Sequence, residues 1–147
     1  MAAIRRADAK WSGPLNTGSG TVTAVSSAAF SNLPVSWAAR TEASNGLTSP
    51  EELVAAAHAA CYSMAFAADL GRAGTPPDRL EVSAEVTFDK GDAGWRVVSS
   101  ALTVRGWVPG SNAADFAAVA EGTRDGCPIS RALKGNVELS VKATLEA

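Results

Sequence analysis

Cys61 and Cys127 are the only thiols in the chain, and each stands in a well-marked helical context. The first lies within Thr48-Ser49-Pro50-Glu51-Glu52-Leu53-Val54-Ala55-Ala56-Ala57-His58-Ala59-Ala60-Cys61-Tyr62-Ser63-Met64. The second lies within Gly126-Cys127-Pro128-Ile129-Ser130. A thiolate attacks peroxides and disulfides, whereas a buried thiol does neither. Two thiols so placed point to a redox couple more than to two fillers of a core.

Local physics separates the two cysteines. Cys61 is mid-helix in apolar company, where a free cysteine packs as a small hydrophobe and burial raises its pKa. Cys127 precedes Pro128, at the expected start of a short helix, where a thiolate is stabilised. On these grounds alone Cys127 is the reactive thiol and Cys61 the inert one, unless a cation reaches Cys61. His58 precedes Cys61 by three residues and shares its helix face. The two would make a nucleophile and base, as in thiol hydrolases. The plainer reading is a core or interface histidine bonded to backbone, since no orienting Asn or Asp stands nearby.

Arg40 precedes Thr41-Glu42 in a polar loop. It is either a solvated surface arginine or the cation that Cys61 lacks, held by a carboxylate such as Glu51. Glu52 falls at a capping-box position; Glu51 does not, so it is free for another role. Glu51 and Cys61 are ten residues apart, about 15 Å of rise on one straight helix. They cannot meet within that helix. Two copies packed antiparallel about a two-fold axis would bring them together, and the alanine-rich middle permits the close approach.

The elements that must position these residues follow from punctuation and periodicity. Gly13-Pro14 and Gly18-Ser19-Gly20 are turns, Thr21–Val25 a strand, and Val35-Ser36-Trp37-Ala38 a further short strand. A helix starts at Pro50, with Ser49 as N-cap and Ser49/Glu52 as a capping box, and runs to about Leu70, where Gly71, Gly74 and Pro76-Pro77 stop it. Being apolar nearly all round, it should be buried. Leu80, Val82, Ala84, Val86 and Phe88 alternate, Gly91-Asp92-Ala93-Gly94 turns, and residues 95–108 return as a hairpin partner. Ser111 or Asn112 caps a second helix over 113–124, and Gly126 ends it. Val137, Leu139, Val141, Ala143 and Leu145 form a last strand. The order defines an α+β domain with largely antiparallel sheets and a buried central helix.

The 147 residues fit a single domain over 1–147, with 46% hydrophobic and 19% charged residues. The net charge of -2 gives no pull toward nucleic acid or anionic lipid. No zinc spacing, basic run or phosphate-binding loop is present. No targeting segment and no stretch long and apolar enough to span a bilayer is read, so a cytoplasmic address is expected. In a reducing cytosol the cysteines would be thiols or a transient catalytic disulfide.

Taken together, the two cysteine motifs resemble those of the osmotically inducible protein C and organic hydroperoxide resistance (OsmC/Ohr) family. Trp11-Ser12-Gly13, Gly18-Ser19-Gly20-Thr21-Val22, Asp89-Lys90 and Val108-Pro109-Gly110 extend the resemblance over essentially the whole chain. Ala57-His58-Ala59-Ala60-Cys61, with Arg40 just before the helix, is similar to the OsmC branch. The resemblance implies an intertwined homodimer with two interface sites. It implies a thiol-dependent peroxidase that reduces organic hydroperoxides and, less well, hydrogen peroxide, with no metal, flavin or haem. It makes Cys61 the attacking cysteine, Cys127 the resolving one, and Arg40 and Glu51 the residues that activate the thiolate. This reverses the local preference for Cys127. The implied cycle runs through a Cys61 sulfenic acid and a Cys61–Cys127 disulfide, which a dithiol reductant reopens. Ser49 replaces the family's usual asparagine, and Tyr62 its usual phenylalanine, which would add a hydroxyl near the site. Two other readings remain: a Cys-His hydrolase or acyltransferase using Cys61 and His58, and a non-catalytic dimeric binder of fatty-acid-like ligands.

Overall fold

The computed structural model describes residues 1–147. The elements are β1 (Ala7–Ser12), β2 (Ser19–Ala24), β3 (Leu33–Val35), α1 (Trp37–Thr41), α2 (Pro50–Arg72), β4 (Arg79–Gly91), β5 (Gly94–Trp107), α3 (Ala113–Gly126), α4 (Pro128–Leu133) and β6 (Glu138–Leu145). They form two compact units, Met1–Leu53 and Val54–Ala147, each with its own three-stranded sheet.

In the first unit β1, β2 and β3 pair antiparallel in sequence order. Trp11 stands opposite Gly20, and a Cβ at Gly20 would come within 2.7 Å of the Trp11 ring. The absent side chain lets the indole lie across the strand. β1 is exposed along its whole length and shows no alternation, which is why the sequence marks the segment up to about Arg40 as strands and turns without giving this strand its bounds. The strand expected over Val35–Ala38 breaks after Val35. Ser36 is extended, and its Oγ accepts a hydrogen bond from the Ala39 N–H at 3.1 Å. That cap starts α1, so Trp37 and Ala38 are helical rather than extended.

α2 begins as its caps require. Ser49 Oγ accepts from the Glu52 N–H at 3.1 Å. The reciprocal half of the capping box is not made: the Glu52 carboxylate instead accepts from Thr48 Oγ1 at 2.7 Å. His58, Tyr62, Phe66 and Leu70, at a spacing of four, are buried. Ala56, Ala60, Met64 and Ala68 line an exposed face, with Met64 69% exposed. By length and composition α2 is apolar enough to cross a membrane, contrary to the expectation that no stretch is. Only the face of His58, Tyr62, Phe66 and Leu70 is fully buried, so the burial expected of a helix apolar nearly all round is met on one side alone. The fully buried His58 on it marks a core-facing helix.

In the second unit β4 and β5 form the expected hairpin, with Leu80, Val82, Ala84, Val86 and Phe88 on its inward face. β6 pairs with β5 in parallel. Periodicity does not report strand direction. A parallel neighbour needs a crossover, which α3 and α4 supply. Tyr62, Phe66, Leu70, Leu102, Val104, Val108, Phe116 and Ala120 build the core. A Cβ at Gly106 would lie 2.5 Å from the Phe116 ring, so α3 packs on β5 only because that residue is glycine. Asn112 caps α3, its Oδ1 accepting from the Asp115 N–H at 3.0 Å. Gly126 is the last helical residue rather than the stop. The stop is Cys127, extended at φ -55° and ψ 131°, because the following proline bars the helical conformation from the residue before it.

Candidate active site

Cys61 and Cys127 meet inside the second unit. Their sulfurs are 3.2 Å apart, with the Cys127 thiol in position to donate, and neither is in a disulfide. α2 carries Cys61 on the edge of its buried face. Pro128 forces the chain to turn between α3 and α4, and that corner presents Cys127. Cys127 is fully buried, whereas Cys61 is half-buried. Burial pushes the Cys61 thiol above its ordinary value; the Ile129 backbone N–H pulls it down, and the adjacent Cys127 sulfur pushes it up again. Left to these neighbours, Cys61 is a thiol near neutrality.

His58 is fully buried and bonded at both ring nitrogens. Nδ1 is 2.6 Å from Ser100 Oγ on β5, and Nε2 is 2.8 Å from Ser130 Oγ on α4. Burial lowers its pKa, so the ring is held neutral. One serine accepts its N–H and the other donates to its lone pair. With both nitrogens engaged, none is left to take the Cys61 proton. The partners are serine side chains rather than the expected backbone groups. They lie 42 and 72 residues away in sequence, beyond any local signal. Tyr62 does not turn its hydroxyl toward the thiols; it donates to the Ala120 carbonyl at 2.9 Å and ties α2 to α3.

Arg40 and Glu51 are brought together in the first unit. Arg40 Nε lies 3.0 and 3.1 Å from the two carboxylate oxygens, and a terminal nitrogen lies 2.8 Å from Oε1. Glu51 is almost buried at 8% exposure and Arg40 is 31% exposed. This fork-on-fork pairing fixes the guanidinium plane, and the Trp37 ring lies 5.8 Å below it. Arg40 also borders a pocket of about 300 Å³ whose other walls include Trp11, Leu15, Val35, Trp37 and Pro50. The chain thus holds two ready-made pairs. One is a dithiol. The other is an oriented arginine beside an apolar hollow. Glu51 is in the first turn of α2 and Cys61 in its middle.

Chemically, two touching thiols beside a histidine with no spare nitrogen are equipped for dithiol–disulfide exchange and lack the base that acyl transfer needs. Comparison with known proteins gives that class its family. The sequence model of the OsmC-like protein family matches residues 43–142. The chain is 38% identical over 139 residues to Peroxiredoxin OsmC of Escherichia coli (strain K12), covering 95% of this chain and 96% of that protein. The protein of the same name from Shigella flexneri matches equally. The fold is that of the organic hydroperoxide resistance protein OhrB of Bacillus subtilis, with TM-score 0.74 and 20% identity over 95% of this chain and 98% of that one. It is equally that of an organic hydroperoxide resistance protein from Elizabethkingia anophelis, with TM-score 0.76 and 22% identity over 99% and 100% of the two chains. The chain belongs to the OsmC-like family, and it is an enzyme of the peroxidase class.

Proposed function

We propose that this peroxidase reduces organic hydroperoxides, and hydrogen peroxide less well, through a cycle confined to Cys61 and Cys127. The observation that carries the reading is the 3.2 Å approach of a half-buried and a fully buried sulfur. The Cys61 thiolate attacks the terminal peroxide oxygen, the O–O bond breaks, and the departing alkoxide takes a proton to leave as the alcohol. Cys61 is left as sulfenic acid. The Cys127 thiol then attacks the Cys61 sulfur and displaces water, forming the disulfide. A dithiol reductant returns two electrons and two protons. No metal or organic cofactor takes part. The similarity to organic hydroperoxide resistance proteins supports the substrate class.

Arg40 supplies the positive charge that Cys61 needs, and Glu51 holds it. The two are joined within one chain, so they serve a Cys61 together. The length of helix between Glu51 and its own Cys61 favours service to the Cys61 of a partner subunit in a homodimer. The exposed face of α2 and the fully exposed β1 support such a partner. The chain then works as a single OsmC-like domain over 1–147, in the reducing cytoplasm where both cysteines rest as thiols.

Single-turnover kinetics test the roles. Cys61→Ser should lose hydroperoxide reduction altogether. Cys127→Ser should consume about one equivalent per subunit and stall as sulfenic acid. A first turnover retained by Cys61→Ser but lost by Cys127→Ser would reverse the assignment.

A further inference from the structure

Two side-chain contacts run side by side from α2, one to Cys127 at the start of α4 and one into α4, beside the bond from the Ile129 N–H to the Cys61 thiol. The first is the contact between Cys61 and Cys127. The second is the hydrogen bond between His58 Nε2 and Ser130 Oγ at 2.8 Å. His58 precedes Cys61 by three residues, and Ser130 follows Cys127 by three. Each end of the bond is therefore one helical turn from a sulfur. The far side of the imidazole is fastened to β5 through Ser100 Oγ at 2.6 Å. All three side chains are buried to 1% exposure or less. α4 itself is one short helix of six residues, with no capping bond from its N-cap side chain.

We propose that His58 is a positioning residue for the resolving step, acting through Ser130 to hold α4 so that Cys127 stays against Cys61. The inference rests on the peroxidase reading but concerns a different residue and a different step. Disulfide formation needs the sulfurs to close from 3.2 Å to about 2.05 Å. A pivot one turn away permits that short closure and resists a larger excursion of Cys127. Without the pivot, α4 keeps its own backbone bonds, Arg131 N–H to Cys127 O and Lys134 N–H to Ser130 O, each 2.9 Å. It loses the tether from Ser130 to His58 and keeps to α2 only the bond from the Ile129 N–H to the Cys61 thiol. The price of a buried hydrogen-bonded imidazole, which a leucine would avoid, is explained by this task.

Two variants cut the tether from opposite ends, Ser130→Ala and His58→Phe. In hydroperoxide pulses, the lifetime of the Cys61 sulfenic acid, read by trapping with a dimedone probe, should lengthen at least tenfold in each. The rate of the initial attack by Cys61 should stay within about twofold, a split that general loosening of the fold would not produce. A second arm needs no peroxide. In buffers of oxidised and reduced glutathione, Cys61 and Cys127 give two protons and two electrons to the oxidised form, yielding the protein disulfide and two reduced glutathiones. The equilibrium constant, which measures how well Cys127 is held against Cys61, should fall at least tenfold in both variants. If wild type forms its disulfide in glutathione but not with hydroperoxide, the peroxidase reading fails while the positioning role is still measured. Unchanged resolution and an unchanged equilibrium constant in either folded variant would overturn the proposal. So would failure of both variants to fold, which would make the link a stabiliser of the fold alone.

Discussion

Cys61 shows why residue type alone does not assign chemistry. Burial and the neighbouring sulfur push its thiol up, and one backbone N–H pulls it down. Burial is also what makes Cys127, at the start of a helix, look the better nucleophile from sequence. A guanidinium oriented by a carboxylate would change that balance, and under the proposed function the Arg40–Glu51 pair supplies it. His58 is legible as a core histidine but its partners are not, because Ser100 and Ser130 are brought to it only by tertiary packing. Its neutrality has a consequence for stability. The unfolded chain protonates this histidine near 6.5, the folded chain only at lower pH. Between those values the unfolded state binds more protons, so the contribution is complete above the ordinary value and is lost as pH falls through the folded one. The melting temperature should therefore drop on acidification from about pH 7 to pH 5. His58→Gln should flatten part of that slope, and identical slopes for the two proteins would contradict a neutral buried imidazole.

At the scale of elements, the sequence announces whatever is written in local punctuation. Ser49-Pro50 starts α2, Asn112 starts α3, and Gly91 to Gly94 turns the β4–β5 hairpin. Errors fall where a short signal competes with a propensity. Val35 and Trp37 favour a strand, yet one serine cap turns Trp37–Thr41 into a helix. The exposed, polar β1 has no period to read. The parallel placement of β6 lies in the connection rather than in the strand. The α3–β5 packing rests on a single missing side chain. Gly106→Ala would drive a methyl against the Phe116 ring, which stands 2.5 Å from its Cβ position. Urea unfolding should show a loss of about 1–3 kcal/mol. Phe116→Leu on that background should recover part of it; no loss in the single variant would contradict the described packing.

For the whole molecule, the sequence motifs name the four candidate residues, and the fold pairs them two by two. Cys61 and Cys127 touch, and Arg40 and Glu51 touch. The pairing of Arg40 with Glu51 sharpens the dimer proposal, because the two must cross to a partner together or not at all. Arg40→Ala should raise the Cys61 pKa and slow peroxide attack sharply, and Glu51→Ala should do so more mildly by freeing Arg40. Mixing inactive Cys61→Ser subunits with inactive Arg40→Ala subunits should then restore partial activity, since one site of each heterodimer has both an intact thiol and an intact arginine. No recovery on subunit exchange, or an unchanged thiol pKa in Arg40→Ala, would contradict a site shared between copies.

In the proposed cycle Cys61 and Cys127 form one redox couple driven by hydroperoxide. The direct measurement is mass spectrometry of the reduced protein after a stoichiometric pulse of an organic hydroperoxide, with thiols blocked in acid. The expected result is loss of two hydrogens from the chain and a peptide pair cross-linked through Cys61 and Cys127. Two free, blocked cysteines after the peroxide has been consumed would contradict it.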